Sequence, residues 1–206
     1  EETRYYLNGC FLCQKPGGKT IRCVATDGHR MAVVDSEIPF QFEPAILPKR
    51  LVDLLLDLLA RPSNEAASIR FGGRYLTLTC GAVSVIAKMI DGTFPAYERV
   101  IPSAEPKIRA EISRPSVSRL ERVCAAGRSK FTSVAVRIAP DEGIMTGILP
   151  DWGEVSAPVA GEGHAFGVKS SYLAQLARLM PSLTMLGAGD RAGFRATLDP
   201  TRSEER

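Results

Sequence analysis

Two bracketed helical segments constrain this chain more than any other feature. Residues 49–60 are rich in leucine, follow Pro48 and end before Pro62. Proline suits the start of a helix and cannot continue one, so the two prolines mark both ends. About 120 residues further on, residues 168–180 repeat the pattern and stop at Pro181. Each segment follows a short apolar strand-like stretch and precedes further strand-like stretches. The spacing predicts two copies of one α+β unit. At 206 residues and 45% hydrophobic content, each copy can bury a core without disulfides or metal.

The remaining elements fit around those helices. Residues 5–12, 20–25, 31–34, 68–79 and 83–89 read as strands, with a loop at Lys15-Pro-Gly-Gly-Lys19. A proline-bearing connector runs from Thr93 to Pro106. Residues 113–126 read as a helix whose Val117, Leu120 and Cys124 form an apolar stripe, with Ser118, Arg119, Arg122 and Ala126 on the opposite face. Residues 133–139, 143–149, 182–186 and 192–198 read as strands.

Charge and cysteine usage narrow the function classes. The net charge of +3 is too small for tight nonspecific phosphate binding. Between Lys107 and Lys130, however, seven Lys/Arg face only Glu111 and Glu121, which leaves the rest of the chain slightly acidic. Composition alone reads the basic face of residues 113–126 as solvated surface. Five scattered cysteines imply reduced thiols and a reducing compartment. Cys10-Phe-Leu-Cys13 has metal-ligand spacing, but no second pair accompanies it and a strand would turn its ends to opposite faces. Neither a signal peptide nor an apolar run of bilayer length is present. Gly17-Gly18-Lys19-Thr20 lacks the first glycine of a phosphate-binding loop. His29 beside Asp27 suggests a general base, yet the nucleophile turn of a hydrolase is missing. Asp53 and Asp57 read as a solvated helix face. No catalytic residue, cofactor or metal site is predicted.

The motif richest in information is Val24-Ala-Thr-Asp-Gly-His-Arg30. Asp27-Gly28 is a strong turn signal that lifts His29 and Arg30 out at a sheet rim. Thr3-Arg-Tyr-Tyr-Leu-Asn-Gly9 precedes it, and Lys88-Met-Ile-Asp-Gly-Thr-Phe-Pro-Ala-Tyr-Glu-Arg-Val-Ile-Pro102 follows. Together these segments resemble the bacterial DNA polymerase III beta subunit family, the sliding clamps.

The resemblance implies a DNA-clamp (processivity) fold of the α+β class, with antiparallel sheets outside and helices lining the inner face. Residues 1–102 resemble the middle domain without its first strand and helix. Residues 107–206 resemble the C-terminal domain without its last strand and tail. Both a fragment and a short standalone paralogue fit those ends. In the family, a pocket between these domains receives short linear peptides from polymerase, clamp loader and repair proteins. Matched by motif, its residues are Arg4, Leu7, Thr26, Gly28, His29, Arg30, Met31, Pro95, Arg99 and Val100. Leu7, Met31, Pro95 and Val100 would form an apolar cup, with Arg30 and Arg99 at its rim. Tyr5 and Tyr6 resemble DNA-touching loop residues, and Lys49, Arg50, Arg119 and Arg122 are further DNA candidates. The implied function is a non-catalytic processivity factor that encircles double-stranded DNA as a homo-oligomeric ring, in the cytoplasm at the bacterial nucleoid. The alternative is a peptide-binding module that does not encircle DNA.

Overall fold

The first strands pair into a sheet through their backbones. The structure is a computed structural model that describes residues 4–60, 67–102, 105–126, 134–149, 153–179, 182–187 and 194–197. The chain forms two units, Glu1–Ala96 and Tyr97–Arg206. Residues 97–102, grouped above with the first domain, therefore fall in the second unit.

In the first unit, a 3-10 turn at Tyr5–Leu7 leads into β1 (Gly9–Gln14), β2 (Thr20–Thr26), β3 (Met31–Pro39) and β4 (Ala45–Pro48). These strands form an antiparallel sheet in the order β3-β2-β1-β4. Phe11 pairs with Val24 on one side and Ile46 on the other. Helix α1 (Lys49–Leu59) follows, then a second sheet of β5 (Ala67–Gly72), β6 (Tyr75–Cys80) and β7 (Val83–Lys88). Leu47, Leu51, Leu76 and Leu78 form the buried centre, with Leu12, Val52, Leu55 and Leu58 packed around it. On the other face of the first sheet, Phe11 stacks on Phe94 with ring centroids 4.7 Å apart.

Two strand expectations change here. Residues 5–12 are not one strand: the Leu7 N–H donates to the Arg4 carbonyl and the Asn8 N–H to the Tyr5 carbonyl, which closes a local turn before β1 begins. Residues 68–79 split into β5 and β6 at the turn around Gly72-Gly73.

The second unit contains β8 (Ile108–Ser113), α2 (Arg114–Ala126), β9 (Ala135–Ala139), β10 (Ile144–Leu149), β11 (Gly153–Pro158), β12 (Ala160–Glu162), β13 (Phe166–Lys169), α3 (Ser170–Leu179), β14 (Ser182–Gly187) and β15 (Phe194–Thr197). Its sheets run β11-β10-β9-β13 and β12-β8-β14-β15. Val117, Leu120 and Cys124 are buried, as their helical spacing predicts, in a core that includes Ile138, Met145 and Leu173. Helices α2 and α3 pack together, and the Arg114 Nε donates to the Ala177 carbonyl at 2.9 Å. That contact satisfies an orphan carbonyl at the negative end of α3. Gly147 is a steric requirement, since a β-carbon there would stand 2.7 Å from the Cys124 Sγ.

The two units share a topology. In each, three strands in meander and a fourth added beside the first precede a helix. Ile138 pairs with both Met145 and Phe166, as Phe11 does with Val24 and Ile46. Sequence reasoning missed β8, β11 and β12, whereas β4 and β13 are the short apolar strands expected before α1 and α3. Of the segments it named as strands, residue 133, residues 192–193 and residue 198 lie outside the described residues.

Candidate functional site

The Asp27-Gly28 turn is built by side chains folding back on their own backbone. Asp27 Oδ1 accepts from the N–H groups of His29 and Arg30, both at 3.0 Å. Its Oδ2 accepts from Arg30 Nε at 2.9 Å. Burial pushes the Asp27 carboxyl up, but hydrogen bonds from the His29 N–H, the Arg30 guanidinium and the Arg30 N–H outweigh it and hold the group below the usual carboxylate range. The Thr26 hydroxyl donates to the Arg30 carbonyl at 2.8 Å and accepts from the Gly28 N–H at 3.1 Å. Gly28 sits at φ +84°, in the left-handed region that its lack of a β-carbon permits. Asp27 thus serves the turn's own backbone and pins Arg30, so the His29–Asp27 pairing considered from sequence runs through the His29 amide.

The structure brings a distant segment to this turn. A β-carbon on Gly28 would stand 3.6 Å from an Arg4 guanidinium nitrogen. Arg4 and the 26–31 turn therefore form one surface, on which Gly28, His29 and Arg30 are exposed while Thr26 and Met31 are half-buried. Leu7 anchors the segment at 8% exposure, which makes it more core than cup. Pro95 is exposed. In the second unit, Arg99 and Val100 lie on a 3-10 turn at Tyr97–Val100. Both are solvent-facing, and Val100 is 69% exposed, far from a core residue.

The DNA candidates divide into two groups. Tyr5, Lys49 and Arg50 share an open recess of about 550 Å³ with Asn8, Pro48, Asp53 and Ile90. The join comes from β1 pairing with β4: Gly9 lies opposite Pro48, and the Lys49 N–H donates to the Asn8 carbonyl. Tyr5 is held there by its hydroxyl, which donates to the Asp91 carbonyl at 3.1 Å. Tyr6 packs edge-on against the Tyr5 ring and does not line the recess. Lys49 is ion-paired with Asp53 at 2.6 Å, which dilutes the positive field. Arg119 and Arg122 stand exposed on α2 in the second unit. Asn8 and Ile90 were not singled out from sequence; only the strand register shows that they join the recess.

Comparison with known proteins decides the family. Residues 1–96 match the profile of the DNA polymerase III beta subunit, central domain. The beta sliding clamp of Caulobacter vibrioides is 31% identical over 182 residues, which are 84% of this chain and 49% of that protein. Residues 1–96 belong to the DNA polymerase III beta subunit family, as its central domain. The Pseudomonas putida beta sliding clamp is 28% identical over 187 residues, 87% of this chain and 50% of its own length. Among solved structures, the C. crescentus beta sliding clamp aligns with a TM-score of 0.84 at 26% identity, covering 98% of this chain and 56% of its own. A sliding clamp from Bartonella birtlesii, bound to griselimycin, aligns at 0.83 and 26% identity, covering 94% and 55%. The fold is the sliding-clamp fold. This sliding-clamp chain spans about half the length of the curated relatives it matches.

Proposed function

We propose that this chain supplies the central and C-terminal domains of a DNA-replication processivity clamp, with the first unit as the central domain and the second unit, which takes in residues 97–102, as the C-terminal one. It presents a surface for short linear peptides of polymerase, clamp-loader and repair proteins and performs no covalent chemistry. The complete clamp closes as a homo-oligomeric ring around double-stranded DNA, in the cytoplasm at the nucleoid. Arg4, Leu7, Thr26, Gly28, His29, Arg30, Met31 and Pro95 contribute from the first unit, and Arg99 and Val100 from the second. Tyr5, Tyr6, Lys49, Arg50, Arg119 and Arg122 face DNA.

The observation that carries the peptide assignment is the approach of Arg4 to Gly28. It joins two segments, distant in sequence, that each match the family motif separately. The turn is also rigid before any ligand arrives, because the Asp27 and Thr26 side chains tie Arg30 by three hydrogen bonds. Pre-organisation of that kind lowers the ordering cost of binding. A few anchors dominate such interfaces, and micromolar affinity requires only about −8 kcal/mol. Calorimetric titration with a polymerase-type clamp-binding peptide tests the reading. Binding should weaken about tenfold or more in Arg30→Ala/Met31→Ala; equal affinity of wild type and variant contradicts it.

A further inference from the structure

The three sequence motifs interlock at one short turn. Arg4 of the first approaches Gly28 of the second. One residue on, the Tyr5 hydroxyl donates to the Asp91 carbonyl of the third at 3.1 Å. The Leu7 N–H donates to the Arg4 carbonyl at 2.8 Å, and the Asn8 N–H donates to the Tyr5 carbonyl at 3.1 Å. Residues 4–8 are therefore one closed turn, pinned at its far side by buried Leu7.

Gly92 is required there for space and not for conformation. Its φ lies outside the left-handed region, unlike that of Gly28. A β-carbon on Gly92 would stand 3.2 Å from the Tyr6 β-carbon and 3.5 Å from both the ring and the hydroxyl of Tyr5. The two tyrosines thus rest directly on the backbone at Asp91–Gly92. That seat is tied to the first sheet on both sides. Before it, the Ile90 N–H donates to the Ile46 carbonyl at 2.9 Å. After it, Phe94 stacks on Phe11.

We propose that Tyr5 and Gly92 are positioning residues of the peptide surface: the Asp91–Gly92 seat holds the 4–8 turn, and the turn holds the Arg4 guanidinium beside Gly28. This role presupposes the peptide-binding surface proposed above.

The physical reason lies in how Arg4 is held. Arg4 is exposed, and among the described residues no carboxylate pairs with its guanidinium. Such a side chain keeps its rotamer freedom in the free protein and loses it on binding. Fixing the neighbouring Tyr5 to the seat limits where Arg4 can reach, so less ordering is left for the ligand to impose. Tyr5 is itself 57% exposed, so removing its hydroxyl deletes one hydrogen bond and leaves the core untouched. The Arg74–Asp91 ion pair, at 2.8 Å, uses the Asp91 side chain and not the carbonyl that Tyr5 reaches.

Calorimetric titration of the full chain with a polymerase-type clamp-binding peptide tests this. Tyr5→Phe should weaken binding about threefold, the scale of one hydrogen bond. Gly92→Ala should weaken it further, because its β-carbon pushes the tyrosine pair off the seat. Arg74→Ala should leave affinity unchanged. Since Tyr5 acts through Arg4, Tyr5→Phe should have no further effect in an Arg4→Ala chain, whereas a general loss of structure would add to it. In the peptide-free chain, Tyr5→Phe should move the NMR signals of the Arg4 Nε and the Gly28 amide and spare those of Leu76 and Leu78. Equal affinity of Tyr5→Phe and wild type, additive effects of Tyr5→Phe and Arg4→Ala, or unmoved Arg4 and Gly28 signals overturns the proposal. A wild-type chain that binds no peptide overturns the peptide-binding reading itself, and this role with it.

Discussion

The Arg4 guanidinium lies 3.6 Å from the point that a β-carbon on Gly28 would occupy. Gly28 therefore meets one demand, a positive φ, while a β-carbon there would make an ordinary contact with Arg4. Gly28→Ala should strain the turn by about 1–2 kcal/mol and add a methyl group beside Arg4. Peptide affinity should fall roughly tenfold, by the conversion of about 1.4 kcal/mol per decade. Parallel calorimetry and urea denaturation would show both effects; unchanged affinity would separate Gly28 from the peptide surface.

The Asp27 carboxyl is held below its ordinary range in the folded chain. The unfolded chain therefore binds more protons in the window between the folded value and the ordinary value near 3.9. Stability from this group is full above that ordinary value and is lost as pH falls through the folded value. Carboxyl titration by NMR should show Asp27 below the ordinary range, moving upward in Arg30→Ala. An Asp27 titration unchanged by that substitution contradicts the network.

Charge on the DNA-facing residues should appear in the salt dependence of binding. Lys49→Ala/Arg50→Ala and Arg119→Ala/Arg122→Ala should each weaken duplex binding. The slope of log K against log salt should fall by about 0.9 for every phosphate that the variant no longer neutralises. Because Lys49 is already paired with Asp53, Arg50 should carry more of the first pair's effect. Anisotropy titrations across a salt series measure both quantities, and an unaltered slope removes the residue pair from the DNA surface.

Gly147 and Cys124 make a tight contact between α2 and β10. Gly147→Ala would place its β-carbon 2.7 Å from the Cys124 Sγ, so overpacking should cost about 1–3 kcal/mol. Cys124→Ala in the same chain should recover part of that loss in urea denaturation. No recovery would mean that the contact is not what limits the position.

Helices were the most legible elements, because prolines bracket α1, an apolar stripe marks α2 and a proline follows α3. Helix α1 starts at the expected residue, and Leu120 and Cys124 fall in the core as their spacing predicts. Strand β8 was hidden because Arg109 and Glu111 alternate with buried Ile108, Ala110 and Ile112, and the charges drew attention to the basic stretch. The turn at Thr26–Arg30 was legible from Asp-Gly chemistry, down to the exposure of His29 and Arg30. The approach of Arg4 to Gly28 and the recess shared by Tyr5 and Lys49 both depend on strand register. Register is set by long-range pairing, which local patterns do not carry.

Chemical-shift mapping of the isotopically labelled chain with a polymerase-type clamp-binding peptide tests the central claim most directly. Saturable shifts are expected at Arg4 and at Thr26, Gly28, His29, Arg30 and Met31, and are expected to disappear with the Arg30→Ala/Met31→Ala variant. Saturable shifts that leave those residues unmoved, or no shifts at all, would contradict it.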